Sequence, residues 1–337
     1  MCGLGRVHRG NKMKTLVDMS TNIGQWLSDE LAEVSLVLSK HLLSGHKEVN
    51  DVCSELATYK GKMLRPSLLL LSWKTINPKS VVPQQVRIAA GVVELIHLAT
   101  LVHDDVLDEA DLRRGKQTVN SLLGNEAAVM LGDYLLSSAF LLCSTIKNTE
   151  LNVLLGEVTN TLCAGEVVQL TNRNNVDLTL DQYYQIIHDK TASLISACCE
   201  MGALVGCGSV EQTSALVEFG IMVGTAFQIK DDLLDILEEQ EIVGKPTGRD
   251  LEKGKVTLPI ILMLSENPNL KSTVQQTIIN GDRNTLCSLL ESVGAIDSAF
   301  VVVNEFVDMA VRSIDDLFEN DASNRLCAIA KQLRRSI

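Results

Sequence analysis

Two short acidic runs carry the strongest chemical signal in the chain. His103-Asp104-Asp105-Val106-Leu107-Asp108 follows the apolar stretch 92–102, and Gln228-Ile229-Lys230-Asp231-Asp232-Leu233-Leu234-Asp235 follows the apolar stretch 215–226. Both have D-D-x-x-D spacing, which on a helix puts the first and last carboxylates on one face. Like charges at that spacing repel, so each cluster costs stability until a cation sits there. One such run alone reads equally well as a solvated acidic face. Two runs, each closing an apolar helix, read as carboxylate walls on opposite sides of a cavity. Oxygen ligands of this kind suit Mg²⁺, which takes a few carboxylates and completes its shell with water and phosphate oxygens.

Basic side chains lie near both runs. Arg113 and Arg114 follow the first, Lys245 and Lys255 follow the second, and Lys62 and Arg65 stand in Gly61-Lys62-Met63-Leu64-Arg65-Pro66 before an apolar helix. Arginine forks match phosphate geometry and lysine supplies a compact charge. Any one of them is by itself an ordinary solvated side chain. Together with the acidic runs they describe a site with two demands, a divalent cation and anionic oxygens, and diphosphates meet both. His97 lies two turns before Asp104 on the same face, either as a core histidine or as a ligand to such an anion.

The elements that must position these groups are helices. Hydrophobic residues make up 46% of the 337 residues and aromatics only 4%, so the core is aliphatic. None of the six prolines falls between Pro83 and Pro246. Apolar residues recur at helical spacing over 23–44, 94–114, 124–144, 151–170, 180–203 and 212–237, and over a C-terminal set at 256–265, 270–279, 283–293, 296–318 and 321–336. Gly115 is the expected stop for the helix carrying the first acidic run. No period-2 strand pattern stands out. The segment 240–254, with Gly244, Pro246, Gly248 and Gly254, is the main loop and is basic.

Composition excludes several classes. A net charge of −12 argues against general nucleic-acid binding. Nine cysteines, an odd number with no C-x-x-C spacing, read as reduced thiols in a reducing compartment and not as a zinc site. No apolar run is expected to reach the ~18 residues of a membrane span. The N-terminus carries Arg6, Arg9, Lys12 and Lys14 and no acid. It reads as a flexible tail over 1–20, with a transit peptide as the other reading. The expected location is the cytoplasm, or an organelle matrix if that second reading holds.

Between residues 59 and 259 the chain resembles the trans-type isoprenyl diphosphate synthases, most closely the long-chain polyprenyl members. The resemblance rests on Gly61-Lys62…Arg65-Pro66, His97, His103-Asp104-Asp105…Asp108…Arg113-Arg114-Gly115, Gly132-Asp133-Tyr134 and Gly165-Glu166…Gln169. It continues through Lys190-Thr191-Ala192, Phe227-Gln228…Asp231-Asp232…Asp235 and Gly244-Lys245-Pro246…Lys255…Pro259. It implies an all-α fold, a single bundle of about 10–14 helices around a central cavity (the isoprenoid synthase type I fold), spanning 21–337. It implies that Asp104, Asp105, Asp108, Asp231, Asp232 and Asp235 hold Mg²⁺, three ions in all, against the diphosphate of an allylic substrate: dimethylallyl, geranyl, farnesyl or geranylgeranyl. Arg113, Lys190, Lys245 and Lys255 then contact that diphosphate, while Lys62, Arg65, His97 and Arg114 form the pocket for isopentenyl diphosphate. Thr191 and Gln228 lie near the reacting carbons, and the enzyme is a homodimer. The family's usual Gly-Gly-Lys-Arg-x-Arg-Pro is here Lys60-Gly61-Lys62-Met63-Leu64-Arg65-Pro66, one glycine and one arginine short.

Product length is a steric matter. Thr100 and Ala99 precede Asp104 by four and five residues, about 6–7 Å down the helix at ~1.5 Å per residue. Small residues there leave room for a growing tail, so a product longer than farnesyl is expected; the other reading is plain packing against a neighbouring helix. The competing functions are a short-chain farnesyl or geranylgeranyl synthase, a class I terpene cyclase, and a non-catalytic synthase subunit.

Overall fold

The computed structural model describes residues 22–59, 61–237 and 249–335. The expected N-terminal tail and Lys245 lie outside these residues.

Among the described residues sixteen α-helices follow one another along the chain. They are α1 (Asn22–His41), α2 (Lys47–Glu55), α3 (Leu64–Ile76), α4 (Gln84–Leu107), α5 (Val119–Leu123), α6 (Asn125–Ser144), α7 (Thr149–Thr171) and α8 (Leu180–Ile187). A π-helical turn, His188–Ala192, joins α8 to α9 (Ser193–Val205), which is followed by α10 (Val210–Leu237). The C-terminal set is α11 (Arg249–Glu252), α12 (Leu258–Glu266), α13 (Lys271–Ile279), α14 (Arg283–Ser292), α15 (Ala295–Asp315) and α16 (Asp321–Lys331). The all-helical expectation holds. The short α2 goes beyond the sequence reading: none of its residues is buried, so no apolar periodicity announced it.

α3 and α4 form the centre. Leu68, Leu69, Leu70 and Leu71 in α3, and Val92, Val93, Leu95 and Ile96 in α4, are fully buried. A helix that is apolar all round belongs inside a bundle. α4 packs on α3 and α6, α3 on α9, and α10 on α9 and α15. Each fully buried aliphatic side chain contributes about 1.5–3 kcal/mol relative to its exposed state. Glycines set the closest approaches: a Cβ on Gly202 of α9 would stand 2.4 Å from the Leu69 carbonyl oxygen, and one on Gly224 of α10 would stand 2.5 Å from the Ala192 Cα.

The expectation that α4 runs on to Arg114 fails. The helix ends at Leu107, and Leu112–Arg113 (β1) pairs antiparallel with Lys116–Gln117 (β2). The stop is a Schellman closure: the Glu109 N–H donates to the Val106 carbonyl at 3.2 Å and the Ala110 N–H to the Asp105 carbonyl at 2.9 Å. Glu109 takes the left-handed conformation (φ 49°) that glycine usually supplies, so sequence alone offers no stop there.

A second expectation needs correction. α4 and α6 are long and apolar enough, by length and composition, to cross a membrane. For α4 the reason is burial inside the protein, since 67% of the apolar window is enclosed by the bundle, against 44% for α6.

Candidate active site

The C-terminal ends of α4 and α10 converge on one cavity of about 790 Å³. All six aspartates of the two runs reach its wall, which is completed by α6, α7, α8, the π turn and the segment after α11. The two runs therefore face a shared space, as the D-D-x-x-D pattern requires.

Within each run the carboxylates divide into two kinds. Asp104, Asp108 and Asp235 are partly exposed and Asp231 is exposed, whereas Asp105 and Asp232 are only 2% and 6% exposed. Residues four apart lie about 40° from eclipse on a helix, and the residue after the first is turned about 100° away. The outer pair thus shares the cavity face, and the middle aspartate turns into the protein. Arg113 Nη2 lies 2.8 Å from Asp105 Oδ1, and Tyr59 donates to Asp105 Oδ2 at 2.8 Å. Tyr183 donates to Asp232 Oδ2 at 2.7 Å and Gln228 Nε2 to Asp232 Oδ1 at 2.8 Å. Gln228 Oε1 in turn accepts from Thr191 at 2.7 Å. Burial raises the Asp104 carboxyl above the usual carboxylate range, against the pull of Lys190; burial likewise raises Asp232, with Asp250 adding to it.

The cations are held in place by partners. Lys190 projects from the π turn to Glu166 at 2.6 Å and Gln169 at 2.7 Å. Such turns insert a residue into a helix and recur at functional sites. A Cβ on Gly165 would stand 2.9 Å from the Lys190 backbone nitrogen, so glycine lets α7 approach the turn. Lys255 binds Asp250 at 2.8 Å, and the Asp250 N–H donates to Asp235 Oδ2 at 3.0 Å. Nearby carboxylates raise Lys255 above the ordinary lysine value although burial opposes them.

Arg65 and His97 lie deeper on the same wall. Burial pushes the His97 pKa well below its ordinary value, reinforced by Arg65, Arg113 and Arg114, so it is neutral. Glu94, 4% exposed, is raised by burial while Arg65 and Arg114 draw it down. Lys62 and Arg114 stand outside the cavity wall. Arg114 Nη1 donates to the Tyr59 carbonyl at 2.9 Å, and burial together with Arg114 lowers the Lys62 pKa. Thr100 lines the cavity and donates to the His97 carbonyl at 2.8 Å. Ala99 does not: it is fully buried in the core, one residue and about 100° off the cavity face. Of the two small residues expected to leave room for a growing tail, Thr100 alone lines the cavity.

Several site residues escaped sequence reasoning as functional groups: Tyr59, Glu94, Glu166, Gln169, Tyr183 and Asp250. Glu166 and Gln169 had a usable signal, a three-residue spacing that puts both on one face of α7. The tyrosines had none, because their partners are distant in sequence.

Among the described residues no three His, Cys, Asp or Glu side chains form a ready-made metal cage. The donor set still fits Mg²⁺, which is commonly bound by one or two carboxylates with substrate phosphates filling the remaining positions. Asp104 and Asp108 on one wall, with Asp231 and Asp235 on the other, are all-oxygen donors of that kind.

A helical bundle in which two acidic runs, fixed cations and apolar side chains line one cavity is the frame that a prenyltransferase needs. The chain belongs to the polyprenyl synthetase family, whose model matches residues 46–292. It is 35% identical over 279 residues to an octaprenyl diphosphate synthase of Escherichia coli, covering 82% of this chain and 85% of that protein. The crystal structure of a decaprenyl diphosphate synthase from Rhodobacter capsulatus superposes with a TM-score of 0.86 at 31% identity, covering 92% of this chain and 97% of the other. A polyprenyl synthase from Caulobacter crescentus, complexed with calcium and isoprenyl diphosphate, gives 0.86 at 27% identity, covering 97% and 99%.

Proposed function

We propose that this protein is a Mg²⁺-dependent synthase that condenses isopentenyl diphosphate with an allylic diphosphate, head to tail, to give a long all-trans polyprenyl diphosphate. The observation that carries this reading is that Asp104 and Asp108 share one cavity with Asp231 and Asp235 and with the apolar Leu101, Leu162, Ile187 and Phe227. Bound Mg²⁺, taken as three ions, supplies Lewis-acid neutralisation of the departing diphosphate. Arg113, Lys190 and Lys255 place positive charge where the leaving group gains negative charge; Lys245 has that role by resemblance. Arg65 and His97, on the cavity wall, hold the second diphosphate; Lys62 and Arg114, outside that wall, share the role by resemblance. Thr191 and Gln228, bonded to one another, orient polar atoms beside the reacting carbons. Leu101, Leu162, Ile187 and Phe227 keep water from the allylic cation. The isopentenyl double bond attacks that cation, and the departing diphosphate takes the proton that is lost.

Incubation with Mg²⁺, radiolabelled isopentenyl diphosphate and, in parallel runs, dimethylallyl, geranyl or farnesyl diphosphate tests the reading. A ladder of products beyond twenty carbons is expected. Products that stop at farnesyl or geranylgeranyl make the enzyme a short-chain synthase, a cyclised hydrocarbon makes it a terpene cyclase, and no turnover at all makes it a non-catalytic subunit. Two intact D-D-x-x-D runs, and Arg65 and His97 on the same cavity wall, favour the synthase over the last two.

Thr100 supports the long product, because it leaves the wall below Asp104 low. Thr100→Phe places a ring in that path and is expected to shorten the main product by at least one isoprene unit, with the rate of the first condensation kept within about tenfold. Chromatography of the dephosphorylated products checks this, and an unchanged product spectrum removes Thr100 as a length determinant.

A homodimer is the proposed assembly. Met130 (64% exposed) and Leu141 (70%) on α6 and Val153 (53%) on α7 are exposed apolar side chains of the sort that partners cover. Leu141→Asp is expected to yield a monomer in sedimentation analysis; an unshifted dimer places the contact elsewhere. The eight described cysteines carry free thiols, which supports a reducing compartment, the cytoplasm or an organelle matrix.

A further inference from the structure

The two acidic runs are built on different elements, yet the middle aspartate of each receives the same treatment. Asp105 Oδ2 accepts from Tyr59 at 2.8 Å, and Asp232 Oδ2 accepts from Tyr183 at 2.7 Å. Both tyrosines are buried, at 2% and 3% exposure, and each comes from an element other than the one carrying its aspartate. Tyr59 is the last residue of the short helix Leu56–Tyr59 that precedes α3, and Tyr183 belongs to α8.

Neither hydroxyl is free to turn elsewhere. Tyr59 Oη accepts from the Val119 N–H at 3.1 Å, which directs its own proton at Asp105. Tyr183 lies beside Tyr184, with ring centroids 5.9 Å apart, and donates to Asp232 while Gln228 takes the other carboxylate oxygen. Arg113 Nε lies 3.0 Å from both oxygens of Asp105. The two middle carboxylates thus have both oxygens committed to protein donors.

These bonds have a mechanical consequence. An aspartate held on the inward face of a helix fixes the rotation of that helix about its axis. The outer carboxylates, about 100° from it for the first and about 60° for the last, are then aimed by the same bond. We propose that Tyr59 and Tyr183 are a matched pair of positioning residues, each pinning the middle aspartate of one run so that Asp104–Asp108 and Asp231–Asp235 are presented to each other for cation binding. The inference rests on the metal-dependent reading above and deepens it. It makes Asp105 and Asp232 anchors, and leaves four of the six aspartates to meet the cations.

The test compares full-length wild type with Tyr59→Phe and Tyr183→Phe, each of which keeps the ring and removes only the hydroxyl. Mn²⁺ binding in the presence of inorganic diphosphate is followed by the loss of the free-ion electron paramagnetic resonance signal. Turnover is followed separately against Mg²⁺ concentration. Each variant is expected to bind Mn²⁺ roughly tenfold more weakly, the scale of one charge-assisted hydrogen bond. The Mg²⁺ midpoint for turnover is expected to rise by a similar factor, with rate recovered at high Mg²⁺. A purely structural role lowers the melting temperature without moving either midpoint, and that result overturns the proposal.

If a phenylalanine variant does not fold, Asp232→Asn replaces it, since the amide oxygen still accepts from Tyr183. The number of Mn²⁺ ions bound with diphosphate then stays at the wild-type value, whereas Asp231→Asn binds one fewer. Loss of an ion in Asp232→Asn overturns the anchor assignment. Wild type that neither turns over nor takes up Mn²⁺ with diphosphate refutes the functional reading instead, so the two failures are distinct.

Discussion

Asp104→Asn is expected to lower turnover by about a thousandfold while leaving the protein at least as stable as wild type. Asp104 stands at the cavity wall on the outer face of α4, opposite the second acidic run. Removing its charge removes a cation ligand at the point where the leaving diphosphate gains charge, an effect worth roughly 10²–10³ in rate per electrostatic contact and more where a metal is lost with it. A thousandfold corresponds to about 4 kcal/mol of transition-state stabilisation at ~1.36 kcal/mol per tenfold.

The stability half of the prediction follows from the raised Asp104 pKa. A carboxyl whose folded pKa lies above its unfolded value favours the fold when protonated, and that contribution is lost as pH rises through the folded pKa. At neutral pH the raised pKa is therefore a net cost in the metal-free protein, and the neutral amide removes it. Thermal melting without Mg²⁺ should give a transition equal to or above wild type, and a steady-state assay with labelled isopentenyl diphosphate should give the rate. Activity within tenfold of wild type would exclude Asp104 from the cation site. A site that buries a carboxylate in this way exchanges stability for function.

Gly224→Ala is expected to combine the largest stability loss with a loss of activity. Its Cβ would stand 2.5 Å from the Ala192 Cα and 2.8 Å from the Ala192 Cβ, closer than such atoms approach, and no flexible side-chain tip is there to yield. The backbones of α10 and the π turn must separate. Overpacking of this sort costs about 1–3 kcal/mol, and for a chain of 337 residues each kcal/mol lowers the melting temperature by about 1–2 °C. The same displacement moves Thr191 and Lys190, the neighbours of Ala192, away from Gln228 and Glu166, to which they bond at 2.7 Å and 2.6 Å. Misplacement by about 1 Å costs on the order of a hundredfold in rate. Calorimetry and the steady-state assay read the two effects separately. A variant that melts and turns over like wild type would show that α10 and the turn have slack at this contact.

Lys190 and Glu94 illustrate what the primary structure made legible. Lys190 was assigned to a diphosphate by resemblance, and its place on the cavity wall fits that role. Its retention by Glu166 and Gln169 depends on an approach of α7 that only Gly165 permits. Glu94 drew no attention, because a lone acid in an apolar helix has no chemical partner in its own sequence neighbourhood. Its significance comes from Arg65 and Arg114, brought near by α3 and by the turn after α4.

The residue order by itself determined the helical class, the two acidic runs, the basic groups and the family, because helical periodicity and D-D-x-x-D spacing are local properties of the chain. Tertiary structure decided where α4 stops, which aspartates face the cavity, and that Thr100 and not Ala99 borders it. Those outcomes turn on a rotation of about 100° per residue and on donors far apart in the chain. Local spacing fixes angles between neighbours on one helix, whereas the direction that helix faces is set by whatever packs against it.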